Sequence, residues 1–303
     1  MKLYVGITDS SWYNRLSAAR PDEVNFWKPG EGGSFGVLQP GDLFLFKLHS
    51  PQDFIVGGGT FVKFSKFPAS MAWLAFGEKN GVGTFAEFLQ RIRKYRKDDP
   101  GHDPIIGNII LTQPFWLGRN DWIPAPADWP KSTVQGKGYD ALEGRGYELL
   151  ARVEERLADK AGSHAIQETI ARYGITETTY RLGQGGFRVL VTDAYQRRCA
   201  ITGESTLPVL EAAHIKPYGT DGPHDIRNGL LLRSDMHKLF DQGLLTVTPD
   251  LRLEVSSQIR EQYSNGKLYY SYQGSDLRSV PTSDRDRPDP EFLSWHNDNV
   301  FRP

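Results

Sequence analysis

Short apolar runs separated by turn residues dominate the first 130 residues, and that pattern predicts strands. Residues 3–8 form an expected opening strand, and Asp9-Ser-Ser-Trp12 offers a turn or helix cap. Pro40-Gly-Asp42 marks a turn, Leu43-Phe-Leu-Phe-Lys-Leu48 an uninterrupted strand buried on both faces, and Ser50-Pro-Gln-Asp53 another turn. Phe54-Ile-Val56 then runs through Gly57-Gly-Gly59 into Thr60-Phe-Val62. The triple glycine lacks the following helix and Lys-Ser/Thr of a phosphate loop, so a bulge or tight bend in a curved sheet is expected. At Phe85 the period changes: Phe85, Phe88, Leu89 and Ile92 recur at helical spacing up to Tyr95. Residues 105–112 supply a further strand, and residues 114–130, rich in Trp and Pro, an ordered coil.

Further along, residues 136–146 carry four glycines. Leu149, Leu150, Val153 and Leu157 follow on one face of an expected helix over 147–160, and a second helix is expected over 164–173. Phe187, Leu190, Val191, Ala194 and Tyr195 make an apolar stripe on a helix opened by Gly185-Gly186. Three parts result: residues 1–135, a helical connector 136–180, and residues 181–303.

Composition changes this picture little. The chain has 303 residues, 39% of them hydrophobic, and a formal net charge of −1, so attraction to nucleic acid must come from local segregation of Lys and Arg. One such cluster is Arg91, Arg93, Lys94, Arg96 and Lys97, readable as a phosphate-tracking surface or as a solvated helix end whose cations suit the helix dipole. Cys199, the single cysteine, excludes an intramolecular disulfide and any multi-cysteine zinc site. With no apolar run long enough to span a bilayer and no signal-peptide pattern, a soluble cytoplasmic protein with no membrane partner is expected.

Candidate chemistry is concentrated between Val209 and Asp241. His214 closes an apolar run, Asn228-Gly229 follows fourteen positions later, His237 stands nine positions after Asn228, and Asp241 lies one helical turn beyond His237. Together with Phe187-Arg188, Cys199-x-x-x-Gly203, Ala213-His-Ile215 and Phe240-Asp-x-Gly243, this ordered set resembles the HNH endonuclease family over residues 181–255, specifically its restriction-type branch without zinc knuckles. That family's β-hairpin and helix fall on residues 208–213, 229–232 and 234–241, with Ser234 as an N-cap. Helical spacing sets His237 and Asp241 on one face.

The resemblance implies His214 as general base, Asn228 as the brace of the loop, and His237 with Asp241 as ligands of Mg2+, Mn2+ or another divalent cation; no structural zinc is expected. A backbone carbonyl is the expected partner of the second nitrogen of His214. Ala213 stands where many members carry a third ligand. Strand alternation places Glu211 on the opposite face from His214, and His224 reads as a surface residue. Arg188 and Lys216 are the leading expected phosphate contacts.

The strand, Pro-Gly-Asp turn and glycine-rich return of the first part resemble the PUA-like β-barrels of EVE- and SRA-type modified-base readers. That resemblance implies an aromatic pocket, for which Trp12, Phe26, Trp27 and Trp73 are candidate walls; their alternative is ordinary core packing. The expected architecture is α+β: an N-terminal PUA-like barrel, a helical connector and a C-terminal ββα-metal nuclease domain. The expected function is metal-dependent cleavage of double-stranded DNA carrying a modified base such as modified cytosine, with a homodimer one route to cutting both strands. The alternative is a nucleic-acid or nucleotide sensor whose nuclease is dormant until a ligand, partner or dimerisation aligns it.

Overall fold

A computed structural model describes residues 1–30, 33–96, 101–130, 132–158 and 182–303. The helix expected over 164–173 lies outside the described residues, as does Lys97. The chain divides into two compact units, Met1–Gly186 and Phe187–Pro303.

The first unit is built on β1 (Lys2–Thr8), α1 (Ser10–Ala19), β2 (Glu23–Lys28), β3 (Leu43–Leu48), β4 (Phe54–Pro68), α2 (Ala69–Phe76), α3 (Phe85–Tyr95), β5 (Ile105–Trp116), β6 (Ile123–Pro124), β7 (Gly136–Asp140) and α4 (Gly144–Ala158). Its sheet runs β2-β5-β4-β3-β1-β7, with β6 on β4. β1 and β3 are parallel, from Leu3 opposite Leu43 to Thr8 opposite Leu48. Every residue of β3 is buried, as its apolar run requires, with the one charged member, Lys47, paired to Asp53. Alternation divides the neighbouring side chains between two cores. Phe44 and Phe46 join Tyr4, Trp12, Leu16, Ile109 and Trp116 on one face; Leu43 and Leu45 join Leu3, Val5, Leu149, Val153 and Leu157 on the other. The apolar stripe of α4 therefore covers the sheet of this unit, which explains its helical period.

β4 runs straight through the triple glycine. Its pairing with β5 shifts register between Gly58 and Thr60, the expected bulge. Glycine is needed there because a Cβ on Gly58 would stand 2.6 Å from the Phe44 carbonyl oxygen. The barrel expectation is corrected in one respect. Among the described residues β2 pairs only with β5 and β7 only with β1, so the path of strands stays open.

Within the second unit, the hairpin β8 (Leu210–His214) and β9 (Gly229–Arg233) is followed directly by an eight-residue helix, Ser234–Asp241. Upstream lies the helix Gln184–Ala194, which contributes its residues from Phe187 onward; it is named α5, and Ser234–Asp241 α6. β10 (Leu245–Val247) pairs with β11 (Leu253–Val255), and α7 (Gln258–Tyr263), α8 (Lys267–Tyr270) and α9 (Pro290–Asn299) complete the unit. One core holds these pieces together: Phe187, Val191, Tyr195, Leu230, Leu232, Met236, Phe240, Leu245 and Leu293 are all buried in it. Cys199 is buried too, as a small apolar group whose Sγ receives weak contacts from the Thr202 and Arg233 amides. Ser234 does not cap α6; Arg233 occupies that position without a side-chain cap bond. Arg233 instead grips Asp235 of the first turn through two 2.7 Å bonds, placing a carboxylate where the helix dipole favours it.

Candidate active site

His214 is the last residue of β8 and stands opposite Gly229, the first of β9. Gly229 has an ordinary extended backbone, yet a Cβ there would come within 2.5 Å of Val191 Cγ2 and 3.1 Å of the Phe187 ring. The missing side chain lets α5 approach the hairpin, and the Phe187 ring lies on the His214 imidazole at 3.9 Å with 13° between planes. Burial, followed by the neighbouring His224 and His237 imidazoles, depresses the His214 pKa to about 4, so it is neutral near pH 7. A neutral imidazole can accept a proton.

Asn228 is fully buried, and its side chain makes three bonds to the crossover loop. Oδ1 accepts from the Lys216 amide at 2.8 Å; Nδ2 donates to the carbonyls of Lys216 and Pro223, each at 2.9 Å. The amide thereby ties the two ends of the loop that follows the His214 strand. Only a side chain with a donor and an acceptor can do this at one site.

His237 and Asp241 lie on one face of α6, with Nε2 and Oδ2 3.4 Å apart. The other imidazole nitrogen, Nδ1, lies 2.7 Å from Glu211 Oε2. Glu211 was expected on the face away from His214. In the short β8 ribbon the buried positions are Leu210 and Ala213, three apart rather than two, and Glu211, Ala212 and His214 all remain partly exposed. Burial along β8 thus does not follow strict alternation, and Glu211 reaches α6. A carboxylate accepting from Nδ1–H leaves the Nε2 lone pair of His237 directed at Asp241. Burial, opposed by His237 and reinforced by the charge of Glu211, raises the Asp241 pKa.

His224 also departs from expectation. Its Nδ1 stands 2.9 Å from His214 Nε2, and its ring stacks on Tyr218 at 4.5 Å and 8°. The partner of His214 is therefore an imidazole rather than a backbone carbonyl. No sequence spacing marks His224, because the loop that brings it back has no period of its own.

Arg188 is half-buried; burial lowers its pKa, and the nearby Glu211 carboxylate opposes that shift. Lys216 places its ammonium over the Trp295 ring at 5.6 Å. In the first unit the four aromatic candidates do not line one wall. Trp12 is 4% exposed, in edge contact with Phe26 and Phe46 inside a core. Trp27 and Trp73 instead meet Phe88 of α3 at 5.2 and 6.4 Å, and Trp27 Nε1 donates to the Asn80 carbonyl. The reason is strand alternation: Phe26 and Trp27 are neighbours on β2 and point to opposite faces. Of the basic cluster, Arg91 is paired with Asp9 and Glu87.

The hairpin, helix and convergent side chains have a counterpart in sequence comparison. Residues 199–248 match the HNH endonuclease family model. This segment contains His214, Asn228, His237 and Asp241, and it lies within the stretch from which the resemblance was read. No curated protein matches the chain. Among solved structures, two point mutants of the ASCH protein ZmASCH of Zymomonas mobilis superpose on half of the chain. One has a TM-score of 0.35 at 10% identity, covering 50% of this chain and 97% of its own; the other 0.34 at 9%, covering 50% and 95%. A modification-dependent restriction endonuclease, TagI, has a TM-score of 0.28 at 15% identity, covering 92% of this chain and 75% of its own. Among the described residues no helix is long and apolar enough to cross a membrane.

Proposed function

We propose that the chain is a metal-dependent endonuclease that hydrolyses phosphodiester bonds of double-stranded DNA, using His214 as the general base. The observation that carries this reading is the neutral, ring-stacked His214 at the end of a β-hairpin, beside an α6 that presents His237 and Asp241 together, all within the segment matching the HNH model. His214 takes the proton from a water; the water oxygen bonds to phosphorus, and the bond to O3′ breaks. Arg188 and Lys216 are proposed to contact the phosphates on either side.

The donor set fits a divalent cation. An imidazole nitrogen and a carboxylate oxygen 3.4 Å apart are close to the roughly 3 Å between neighbouring ligands of an ion with bonds near 2.1 Å. Among the described residues no group of three or more His, Cys, Asp or Glu side chains is disposed to hold a metal. His237 and Asp241 would thus hold Mg2+ or Mn2+ with water and substrate phosphate completing the shell, and Glu211 would fix the His237 ring. When bound, the cation would stabilise charge on the phosphate and the departing oxygen.

Residues 1–135 are assigned the reading of the base, most directly a modified cytosine, and 181–303 the cleavage; this assignment follows from the resemblance of the glycine-rich sheet to base-reading domains. Each chain supplies one such site and cuts one strand, so cleavage of both strands takes two chains or two encounters. Purified protein incubated with Mg2+ or Mn2+ and plasmids with and without cytosine modification tests both parts. Cleavage confined to the modified plasmid is expected, and His214→Ala should lower its rate by about 100- to 10,000-fold with DNA binding retained. Undiminished cleavage by that variant would remove His214 from the mechanism. Equal cleavage of both plasmids would remove the reader, and inactivity on both would favour the dormant sensor.

A further inference from the structure

His214 meets its neighbours on two sides. Phe187 covers one face of the ring, and Nε2 faces His224 Nδ1 at 2.9 Å. Nδ1 has no hydrogen-bond partner among the described residues. One proton is shared across the contact between the two imidazoles, and two arrangements are chemically distinct. If His224 donates, the lone pair of His214 Nε2 is occupied, and its open nitrogen is an N–H that cannot take a proton. If His214 donates, His224 Nδ1 accepts, and the open Nδ1 of His214 carries a lone pair. Only the second arrangement makes His214 a base.

We infer that His224 is a positioning residue that holds His214 in the Nε2–H tautomer, leaving Nδ1 to receive the proton of the attacking water. This inference rests on the reading of His214 as the base. The structure holds His224 firmly enough for that task. Its ring stacks on Tyr218, and the residue before it, Pro223, gives its carbonyl to Asn228 Nδ2. Asn228 also binds both backbone groups of Lys216, two residues beyond His214. A continuous path therefore runs from the buried Asn228 amide through Pro223 to the His224 ring and on to His214 Nε2. Asn228 braces the loop, and His224 is what that bracing delivers to the base.

Two substitutions separate positioning from packing. His224→Asn keeps an acceptor oxygen close to where Nδ1 stands, whereas His224→Leu keeps bulk and removes the acceptor. Nitrogen-15 NMR of the full, metal-free chain, with the His214 signals assigned by their loss in His214→Ala, reads the tautomer directly. Wild type and His224→Asn should show the proton on Nε2; His224→Leu should shift population to Nδ1–H. In cleavage assays His224→Leu should lose about 10- to 100-fold in kcat, the usual cost of removing a partner that orients a reactive group, with KM little changed. His224→Asn should recover most of that loss.

A wild-type spectrum with the His214 proton on Nδ1, or full activity in His224→Leu, would overturn the inference. If His224→Leu does not fold, the wild-type and His224→Asn spectra decide alone. If the chain cleaves no DNA while the Nε2–H tautomer is observed, the failure belongs to the nuclease reading and the positioning contact stands.

Discussion

His296, 2% exposed on α9, lies under the helix that carries His237 and Asp241. Its ring stacks on Phe240 at 3.7 Å, Nε2 faces the Phe240 carbonyl at 3.2 Å, and Nδ1 faces the Thr246 hydroxyl at 2.8 Å. The carbonyl can only accept, so Nε2 bears a proton. Burial brings its pKa to about 4, the bond to Phe240 opposing this only partly. The folded pKa lies below the unfolded value of about 6.5, so between these values the unfolded chain binds more protons. Stability from this group is complete above about pH 6.5 and is lost as the pH falls towards 4, by at most about 3 kcal/mol. Urea unfolding of wild type and His296→Leu at pH 7.5 and 4.5 should show a larger acid loss in wild type; parallel losses would contradict the assignment. His214 and His296 are thus both histidines whose pKa burial lowers to about 4, one beside the candidate site and the other within a core.

At the scale of elements, the decisive contact is between α5 and the β8–β9 hairpin. Gly229→Ala introduces a methyl against Val191 and Phe187, and overpacking of this kind costs about 1–3 kcal/mol. Relief by displacement of Phe187 would also loosen the ring that lies on His214. Denaturation should therefore register the loss of stability, and cleavage should fall further than binding does. A variant with wild-type stability would show that α5 and the hairpin yield easily. The elements that the family resemblance implied were legible from sequence: the hairpin expected over 208–213 and 229–232 is found as Leu210–His214 with Gly229–Arg233, and the helix expected over 234–241 as Ser234–Asp241. Glu211 and His224 were not legible in their roles. The first depends on how a short ribbon twists, the second on a loop closed by one amide.

For the whole molecule, cation binding should be visible without any cleavage. An ion that binds only the folded chain stabilises it by about 2.7 kcal/mol at one hundred times its dissociation constant. Mg2+ or Mn2+ should raise the melting temperature of the wild-type chain and leave His237→Ala and Asp241→Ala unmoved. Glu211→Gln should shift the response to about 10- to 100-fold higher cation concentration, because the His237 ring loses its anionic partner. A shift in all variants alike would mean binding elsewhere. The same scale exposes what the aromatic residues of the first unit do. Trp12 belongs to a core and Trp27 to the far face of the sheet, so the four aromatic candidates named by sequence do not all line one pocket.

The linear pattern by itself determined the kinds of element and nominated the candidate chemistry: buried β3 from its apolar run, α4 from its period, α6 from the family resemblance, and a His, Asn, His and Asp set lying within the segment that matches the HNH model. These are local properties, carried by spacing of two or 3.6 residues. Tertiary structure alone decided which side chains meet. Among the described residues it left the large sheet open between β2 and β7, and it brought Glu211 onto His237. It also turned His224 from a loop residue into the partner of His214. Each of these rests on twist, edge pairing or loop closure, which are set by contacts distant in sequence and leave no period to read.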